Sequence, residues 1–193
     1  MVGGAHPTPM HAAHRDMMRG IMKKRPILLF ALLMVFAFFT GGFAVDEATL
    51  PPSDKDRLRE LDAYWAEVSR AVGDGDFEGY KATCHAQGVL VAGIKKTSQP
   101  LAKALARWKQ EFDDTKAGKM KASVAFRFSS RIGDADTAHE TGIFLYTAQT
   151  TDGKRTEEYI HFEALLIKQA GQWKILMEYQ KSKATQKEWE AMK

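Results

Sequence analysis

The chain contains 193 residues, with 28 lysine and arginine residues against 24 aspartate and glutamate residues, and its formal net charge is +4. A hydrophobic content of 45%, a charged content of 27% and a single cysteine exclude a wholly disordered chain, a collagen-like chain and a disulfide scaffold. Residues 1–44 hold five basic residues and one acidic residue, which accounts for the whole +4. Residues 45–193 carry 23 residues of each sign, so no nucleic-acid partner is expected.

The N-terminal segment has the pattern of an export signal. A basic stretch, Lys23–Pro26, precedes thirteen apolar residues, Ile27–Phe39, and the small residues Gly42 and Ala44 follow. This order is typical of a secretory signal peptide, so residues 1–44 are predicted to be cleaved off after Ala44. A spanning helix needs ~20 apolar residues, more than this run has. An uncleaved anchor is the alternative, and it is the only membrane contact that we expect.

The predicted signal leaves one domain outside the cytoplasm, in the periplasm or secreted. A signal peptide would begin naturally at Met22, which favours the interpretation of 1–21 as a mis-assigned start; metal binding by its histidines is the alternative. Cleavage leaves 149 residues (193 minus 44), enough for one substantial core. We expect a linker over 45–53 and a single domain over 54–193.

Helices dominate the first half of this domain. Apolar residues at three- and four-residue steps predict a helix over Asp54–Val72 and a third helix that is capped by Ser98 and ends at Gly118. A shorter helix, Phe77–Cys84, and a short strand, Val89–Val91, are expected between them.

The second half alternates with period two and predicts a four-stranded antiparallel meander followed by a short helix. Two-residue turns are expected to join the strands, because Gly-Asp, Asp-Gly and Ala-Gly pairs separate the alternating runs. The strands are placed at 121–131, 136–150, 154–169 and 172–182, and the helix at 185–193.

Two-residue turns set a register for the whole meander. They pair Phe126 with Thr141, Ile143 with Phe162, and Ala164 with Met177, which puts one apolar set on a single face, called here the inner face. The opposite, outer face is expected to carry Arg127 opposite Glu140.

The order helix, helix, short strand, helix, meander resembles the nuclear transport factor 2-like, or SnoaL-like, superfamily, which includes the ketosteroid isomerases. The local motifs that carry the resemblance are Tyr64-Trp65, Gly75-Asp76-Phe77, Val89-Leu90-Val91, Gly133-Asp134 and Gly171-Gln172-Trp173-Lys174-Ile175. The resemblance covers about 57–182. It implies an α+β fold, a cone-shaped barrel in which three N-terminal helices pack on a curved, mainly antiparallel sheet and enclose a pocket.

The resemblance leaves the function open, because its members include isomerases, cyclases, dehydratases and noncatalytic binding or dimerising domains. Members similar to ketosteroid isomerase place an acidic base just after the first short strand. Here Ala92 and Gly93 follow Val91, and neither can accept a proton. This departure counts against that isomerase mechanism.

The candidate pocket residues are the large inner-face side chains and the aromatic residues of the helices. His139 is the one weak catalytic candidate, since histidine titrates near neutral pH. No cofactor is predicted and no metal site, because metal-ligand spacings are absent from 45–193. The expected pocket lining is Tyr64, Trp65, Tyr80, Trp108, Phe126, His139, Phe162, Met177 and Tyr179.

The outer face mixes apolar and charged residues, which favours a homodimer. Glu163 and Glu178 are expected there as cross-strand neighbours, with a structural or interface role. The expected interface residues are Phe144, Tyr146, Tyr159, His161, Leu165 and Leu176.

Three functions follow from these features. The first is a noncatalytic module that binds a small apolar molecule or dimerises, because the inner face is rich in phenylalanine, isoleucine, leucine and methionine. The second is an isomerase, cyclase or dehydratase that uses His139 with Tyr64 or Tyr179. The third is a protein-interaction domain of the cell envelope.

Overall fold

A computed structural model describes residues 54–192. The predicted signal peptide, the segment 1–21 and the linker at 45–53 lie outside the described residues, so export and cleavage stay predictions. Within the described part of the chain, no helix is both long enough and apolar enough to cross a membrane.

Within residues 54–192, four helices and six strands form an α+β fold, and the sheet is mixed, with the order β2-β1-β6-β5-β4-β3. In this sheet β1 and β6 pair in parallel, and the other neighbours are antiparallel. The predicted fold class is therefore confirmed. The elements are α1 Asp54–Asp74, α2 Phe77–Ala82, β1 Cys84–Ala92, β2 Thr97–Pro100, α3 Leu101–Lys116, β3 Met120–Gly133, β4 Thr137–Thr150, β5 Arg155–Gln169, β6 Gln172–Lys183 and α4 Gln186–Ala191.

The region between α2 and α3 differs from the prediction. Strand β1 already begins at Cys84, and Ser98 lies in the edge strand β2, paired with Val91, and does not cap α3. Helix α3 begins after Pro100, which makes no side-chain capping bond. The sequence 97–100 is polar and lacks alternation, so it carries no strand signal; pairing with β1 alone makes it a strand.

The last hairpin shows how a correct turn gives a partly correct register. Ala170 and Gly171 have φ values of 50° and 75°, as a two-residue hairpin turn of the I′ type requires. A two-residue turn at Ala170-Gly171 pairs Leu166 with Ile175, and the structure confirms this pair. Beyond it the register shifts between Leu165 and Leu166, and Leu176 is the extra residue of a β-bulge.

The predicted registers of the two earlier hairpins are wrong. The β3–β4 turn lies at Ala135-Asp136, two residues beyond the predicted Gly133-Asp134, because Asp134 N–H donates to the carbonyl of Thr137. The Asp134 carboxylate accepts hydrogen bonds from the backbone N–H groups of Asp136 and Thr137, and a β-bulge at Ser129 shifts the register once more. The β4–β5 loop has three residues, because Thr150 N–H donates to the carbonyl of Lys154.

The changed registers exchange the two faces of β4 relative to the prediction. Phe126 lies opposite Phe144, not Thr141, and Phe162 lies opposite Gly142, not Ile143. A one-residue slip exchanges the two faces of a strand, so the side chains of even-numbered β4 residues join the inner face. Those of His139, Thr141, Ile143 and Leu145 turn to the outer face.

The charged pairs of the meander also differ from the prediction. Arg127 lies opposite Ile143, and Glu140 lies opposite Arg131. On the outer face, the Arg127 guanidinium stacks on Trp189 of α4, 4.4 Å from the ring centre, and donates to the carbonyls of Trp189 and Met192. Helix α4 therefore covers part of the outer face.

Glu140 ties α1 to the sheet. It is fully buried, it accepts a hydrogen bond from the Trp65 indole N–H, and Arg131 Nε donates to it at 2.5 Å. Arg131 also pairs with Asp62 of α1. Leu61, Trp65 and Val68 of α1 recur at helical spacing and are buried. The same face of α1 therefore makes both polar and apolar contacts with the sheet.

Replacing Glu140 by alanine tests this contact. The change leaves Arg131 and the Trp65 N–H without their buried partner, and loss of one member of a buried pair costs about 3–5 kcal/mol. We expect that loss in the free energy of unfolding, measured by urea denaturation. Glu157→Ala breaks an exposed pair with Arg155 and is expected to cost less than about 1 kcal/mol. Similar losses in both variants would contradict the assignment.

Candidate functional site

A cavity of about 940 Å³ lies between the helices and the inner face of the sheet. Its volume is in the range of small-molecule sites, which are about 300–1,000 Å³. Residues from α1, α2, α3 and all six strands line it.

One wall of the cavity is aromatic. The Trp65 ring lies 4.4 Å from Phe126 and 5.8 Å from Phe162, measured between ring centres. Phe144 lies 5.7 Å from Phe162 and 6.3 Å from Phe126. These four rings offer an extended apolar surface to a ligand.

Helices α2 and α3 supply a second aromatic group. The Tyr80 ring lies 5.1 Å from Phe112 and 6.3 Å from Trp108. Both tyrosines named as candidates, Tyr64 and Tyr80, line the cavity. The Tyr64 hydroxyl donates to the carbonyl of Thr83 at 3.2 Å, while no hydrogen bond within residues 54–192 involves the Tyr80 hydroxyl.

Six of the nine predicted pocket residues lie in the cavity lining: Tyr64, Trp65, Tyr80, Trp108, Phe126 and Phe162. His139, Met177 and Tyr179 do not. The turned-over β4 places His139 on the outer face, where its Nε2 lies 3.4 Å from Glu163. The bulge at Leu176 moves Met177 and Tyr179 to that face as well, opposite Leu165 and Glu163.

The same bulge brings Glu178 into the cavity. Glu178 lies opposite Ala164, so it is not the cross-strand neighbour of Glu163 that the sequence predicted. Burial raises the pKa of the Glu178 carboxyl, since an ionised carboxylate loses its hydration there. Gln180 Nε2 donates to Glu178 Oε1 at 2.6 Å and partly opposes that effect on the pKa.

Glu178 belongs to a group of ionisable side chains with one shared environment. Burial raises the pKa of Tyr64 and of Tyr80 well above the ordinary phenol value, and the charge of Glu178 raises both further. Burial also raises the pKa of the Cys84 thiol to about 12, so this cysteine stays a thiol. Burial in the inner part of the cavity therefore disfavours the ionised forms of a carboxyl, two phenols and a thiol that lie among aromatic rings.

Sequence reasoning placed three cavity residues on the wrong face. Phe144 and Tyr146 were expected at a dimer interface, and Glu178 was expected on the outer face, but all three line the cavity. A three-residue turn after Thr150, in place of the two-residue turn that was expected, would have placed Phe144 and Tyr146 on the inner face. The bulge that reorients Glu178 has no turn residue or proline to mark it.

Exposed lining residues mark the open end of the cavity. Ile94, in the turn between β1 and β2, is 50% exposed. The exposed cations Lys95, Lys103, Arg107 and Lys183 also belong to the lining. Two carboxylates accompany them: Glu158, and Glu111, which accepts a hydrogen bond from the Tyr146 hydroxyl at 3.2 Å.

Structure comparison identifies the fold. A nuclear transport factor 2-like protein of unknown function from Shewanella oneidensis MR-1 matches with a TM-score of 0.51 and 16% identity, over 64% of this chain and 97% of its own. A candidate aromatic ring hydroxylase from Novosphingobium aromaticivorans matches with a TM-score of 0.54 and 16% identity, over 66% and 89% of the two chains. No protein-family model and no curated protein sequence matches this chain.

A third solved structure matches the described domain as well. A candidate calcium/calmodulin-dependent kinase II association domain from Exiguobacterium sibiricum matches with a TM-score of 0.52 and 12% identity, over 70% of this chain and 98% of that one. The described domain therefore has the nuclear transport factor 2-like fold, as the resemblance implied. Identities this low show the fold and leave the activity to the site itself.

The raised pKa of Glu178 predicts a particular dependence of stability on pH. The pKa of Glu178 is higher in the folded state than in the unfolded state, so protonated Glu178 stabilises the fold. This stabilisation is complete below the unfolded pKa and is lost as pH rises through the folded pKa. The Glu178→Gln side chain has no proton to lose. The free energy of unfolding of this variant should therefore rise relative to that of the wild type as pH rises through the folded pKa of Glu178. Urea denaturation at a series of pH values measures the difference.

Glu163→Gln is the matched control for that experiment. Lys181 holds the pKa of Glu163 below its usual range, so the stabilisation by Glu163 is lost as pH falls. The difference between variant and wild type should therefore change with pH in the opposite direction. Parallel pH profiles for the two variants would contradict the placement of Glu178.

Proposed function

We propose that this domain binds a small, mainly apolar molecule that carries an uncharged oxygen acceptor, such as a carbonyl group. The observation that carries the proposal is a carboxyl with a raised pKa, Glu178, in a cavity lined by aromatic rings. In its protonated form Glu178 donates a hydrogen bond, and a carbonyl oxygen is the matching partner. The aromatic wall then receives the apolar body of the ligand.

Binding in a noncatalytic manner is the form of this proposal that the site supports. The catalytic alternative relied on His139 with Tyr64 or Tyr179. His139 and Tyr179 face away from the cavity, so they do not converge with Tyr64 on a bound molecule. We therefore do not propose that mechanism.

Binding of prodan, an uncharged naphthyl ketone whose fluorescence depends on its surroundings, tests the proposal. We expect a saturable blue shift with the wild-type domain. Glu178→Leu removes the hydrogen-bond donor and should weaken binding by about ten-fold, the effect of one lost hydrogen bond to a buried group. Glu178→Gln retains an N–H donor and should bind prodan nearly as well as the wild type.

Two further measurements sharpen the prodan experiment. Wild-type affinity should fall as pH rises through the raised pKa of Glu178, because the ionised carboxylate cannot donate, whereas the affinity of Glu178→Gln should not change. Glu163→Leu removes a carboxylate from the outer face and should bind prodan normally. Absence of saturable binding to the wild type, or equal affinity in the wild type and Glu178→Leu, would contradict the proposal.

The homodimer stays a prediction, and we propose that it forms on the part of the outer face that α4 leaves open. Phe144 and Tyr146 line the cavity, and α4 reaches Tyr159 through Trp189, 6.2 Å between ring centres, and His161 through Glu188, at 3.3 Å. Leu165 lies on the outer face, half-buried. An envelope interaction partner, the remaining alternative, would use the same face.

Light scattering tests the homodimer directly. The wild-type domain is expected to have the mass of a dimer, and Leu165→Glu is expected to have the mass of a monomer, because a buried unpaired charge opposes association. Lys187→Glu, an exposed change on α4, is the control. A monomeric wild type would contradict the prediction.

A further inference from the structure

The open end of the cavity is positively charged. Four cations line it, Lys95, Lys103, Arg107 and Lys183, against two carboxylates, Glu111 and Glu158. Lys103 and Arg107 stand one turn apart on α3, while Lys95 and Lys183 come from the β1–β2 turn and the end of β6. Four separate positions in three elements thus bring cations to one opening.

These four cations differ from the ion-paired cations of the domain. Among the described residues, most arginine and several lysine side chains form ion pairs, such as Arg70 with Glu67 and Asp74, or Lys109 with Asp113. No ion pair within residues 54–192 involves Lys95, Lys103, Arg107 or Lys183. Arg107 contacts the face of Trp108 instead, at 5.8 Å from the ring centre.

One of the two carboxylates at the opening is already engaged. Glu111 accepts the hydrogen bond from Tyr146, whose pKa is raised to about 12 by burial and by Glu111. This hydrogen bond from a phenol does not cancel the charge of Glu111, so the opening combines four cations without carboxylate partners with two carboxylates, a net charge of +2 (four minus two). An anionic group at this place would be attracted by the summed charge.

The cavity thus has two chemically different ends joined by an aromatic wall. The inner end holds Glu178 with Tyr64 and Tyr80, which resist ionisation, and the open end holds the unpaired cations. We propose that the ligand is an anionic amphipathic molecule, with a carbonyl or similar neutral oxygen at its inner end and a carboxylate or other anionic head group at the cations. This inference rests on the proposed function and adds the class of the ligand.

Keto fatty acids with the ketone at the penultimate carbon carry both groups, and their methyl esters lack only the charge. Each acid and its ester, over a series of chain lengths, is used to displace prodan from the domain. The acid should bind about ten-fold or more tightly than its ester at the best chain length, because charge-assisted hydrogen bonds are stronger than neutral ones. Salt should remove most of that preference and leave ester binding unchanged.

The double variant Lys103→Gln/Arg107→Gln assigns the preference to the opening. It should reduce acid binding to near the level of the ester, and it should change the affinities for the ester and for prodan far less. Lys55→Gln/Lys187→Gln removes the same charge from exposed lysines outside the lining and should keep the full preference for the acid. A net-charge effect would instead lower the preference equally in both double variants.

The outcomes separate the two proposals. Equal binding of acid and ester to the wild type, or an acid preference that survives in Lys103→Gln/Arg107→Gln, would overturn the anionic head group while the neutral-oxygen proposal stands. Failure of acid, ester and prodan to bind would overturn the proposed function itself. Tight acid binding that is lost in Lys103→Gln/Arg107→Gln supports both.

Discussion

The buried contact between Glu140 and Trp65 is the constraint on which the remaining structure depends. Glu140 is fully buried on the inner side of β4, where the indole N–H of α1 and Arg131 of β3 satisfy its carboxylate. A carboxylate placed on the other face would lose both partners, so this contact selects which face of β4 is directed at the helices. Gly142 follows on the same face, and a Cβ atom there would lie 2.0 Å from the carbonyl oxygen of Arg127. Phe144 and Tyr146 then reach the cavity.

The bulge in β6 determines which side chains of that strand face the cavity, and these side chains determine the chemistry of the cavity. Before Leu176, the strand presents Trp173 and Ile175 to the interior; after it, Glu178 and Gln180 take their place. Without the extra residue, Met177 and Tyr179 would line the cavity, as the sequence predicted, and the inner end would have no carboxyl. The hydrogen bond from Gln180 satisfies one oxygen of Glu178, and the other lone pairs and the proton are left for a ligand.

The sequence predicted the class of fold because that class depends on features that a sequence displays. Helical spacing in Leu61, Trp65 and Val68 and alternation in the meander survive small errors of register. The lining of the cavity depends on register itself. The Ala170-Gly171 turn gave a correct pair at Leu166 and Ile175, whereas the turn at Ala135-Asp136 and the bulges at Ser129 and Leu176 carry no comparable signal. Residues of the helices and of β3, such as Tyr80 and Phe126, were therefore placed correctly, and those of β4 and of β6 beyond Leu176 were not.

The central claim is that Glu178 donates a hydrogen bond to a neutral oxygen inside an apolar cavity. The most direct test is the carbon-13 NMR shift of a methyl ketone that is labelled at its carbonyl and bound to the domain, since this shift moves to higher frequency when the oxygen accepts a hydrogen bond. The account predicts a high-frequency shift in the wild type at acid pH that is reduced in Glu178→Leu and retained in Glu178→Gln. A bound carbonyl with the shift of the ketone in alkane, unchanged in Glu178→Leu, would contradict it.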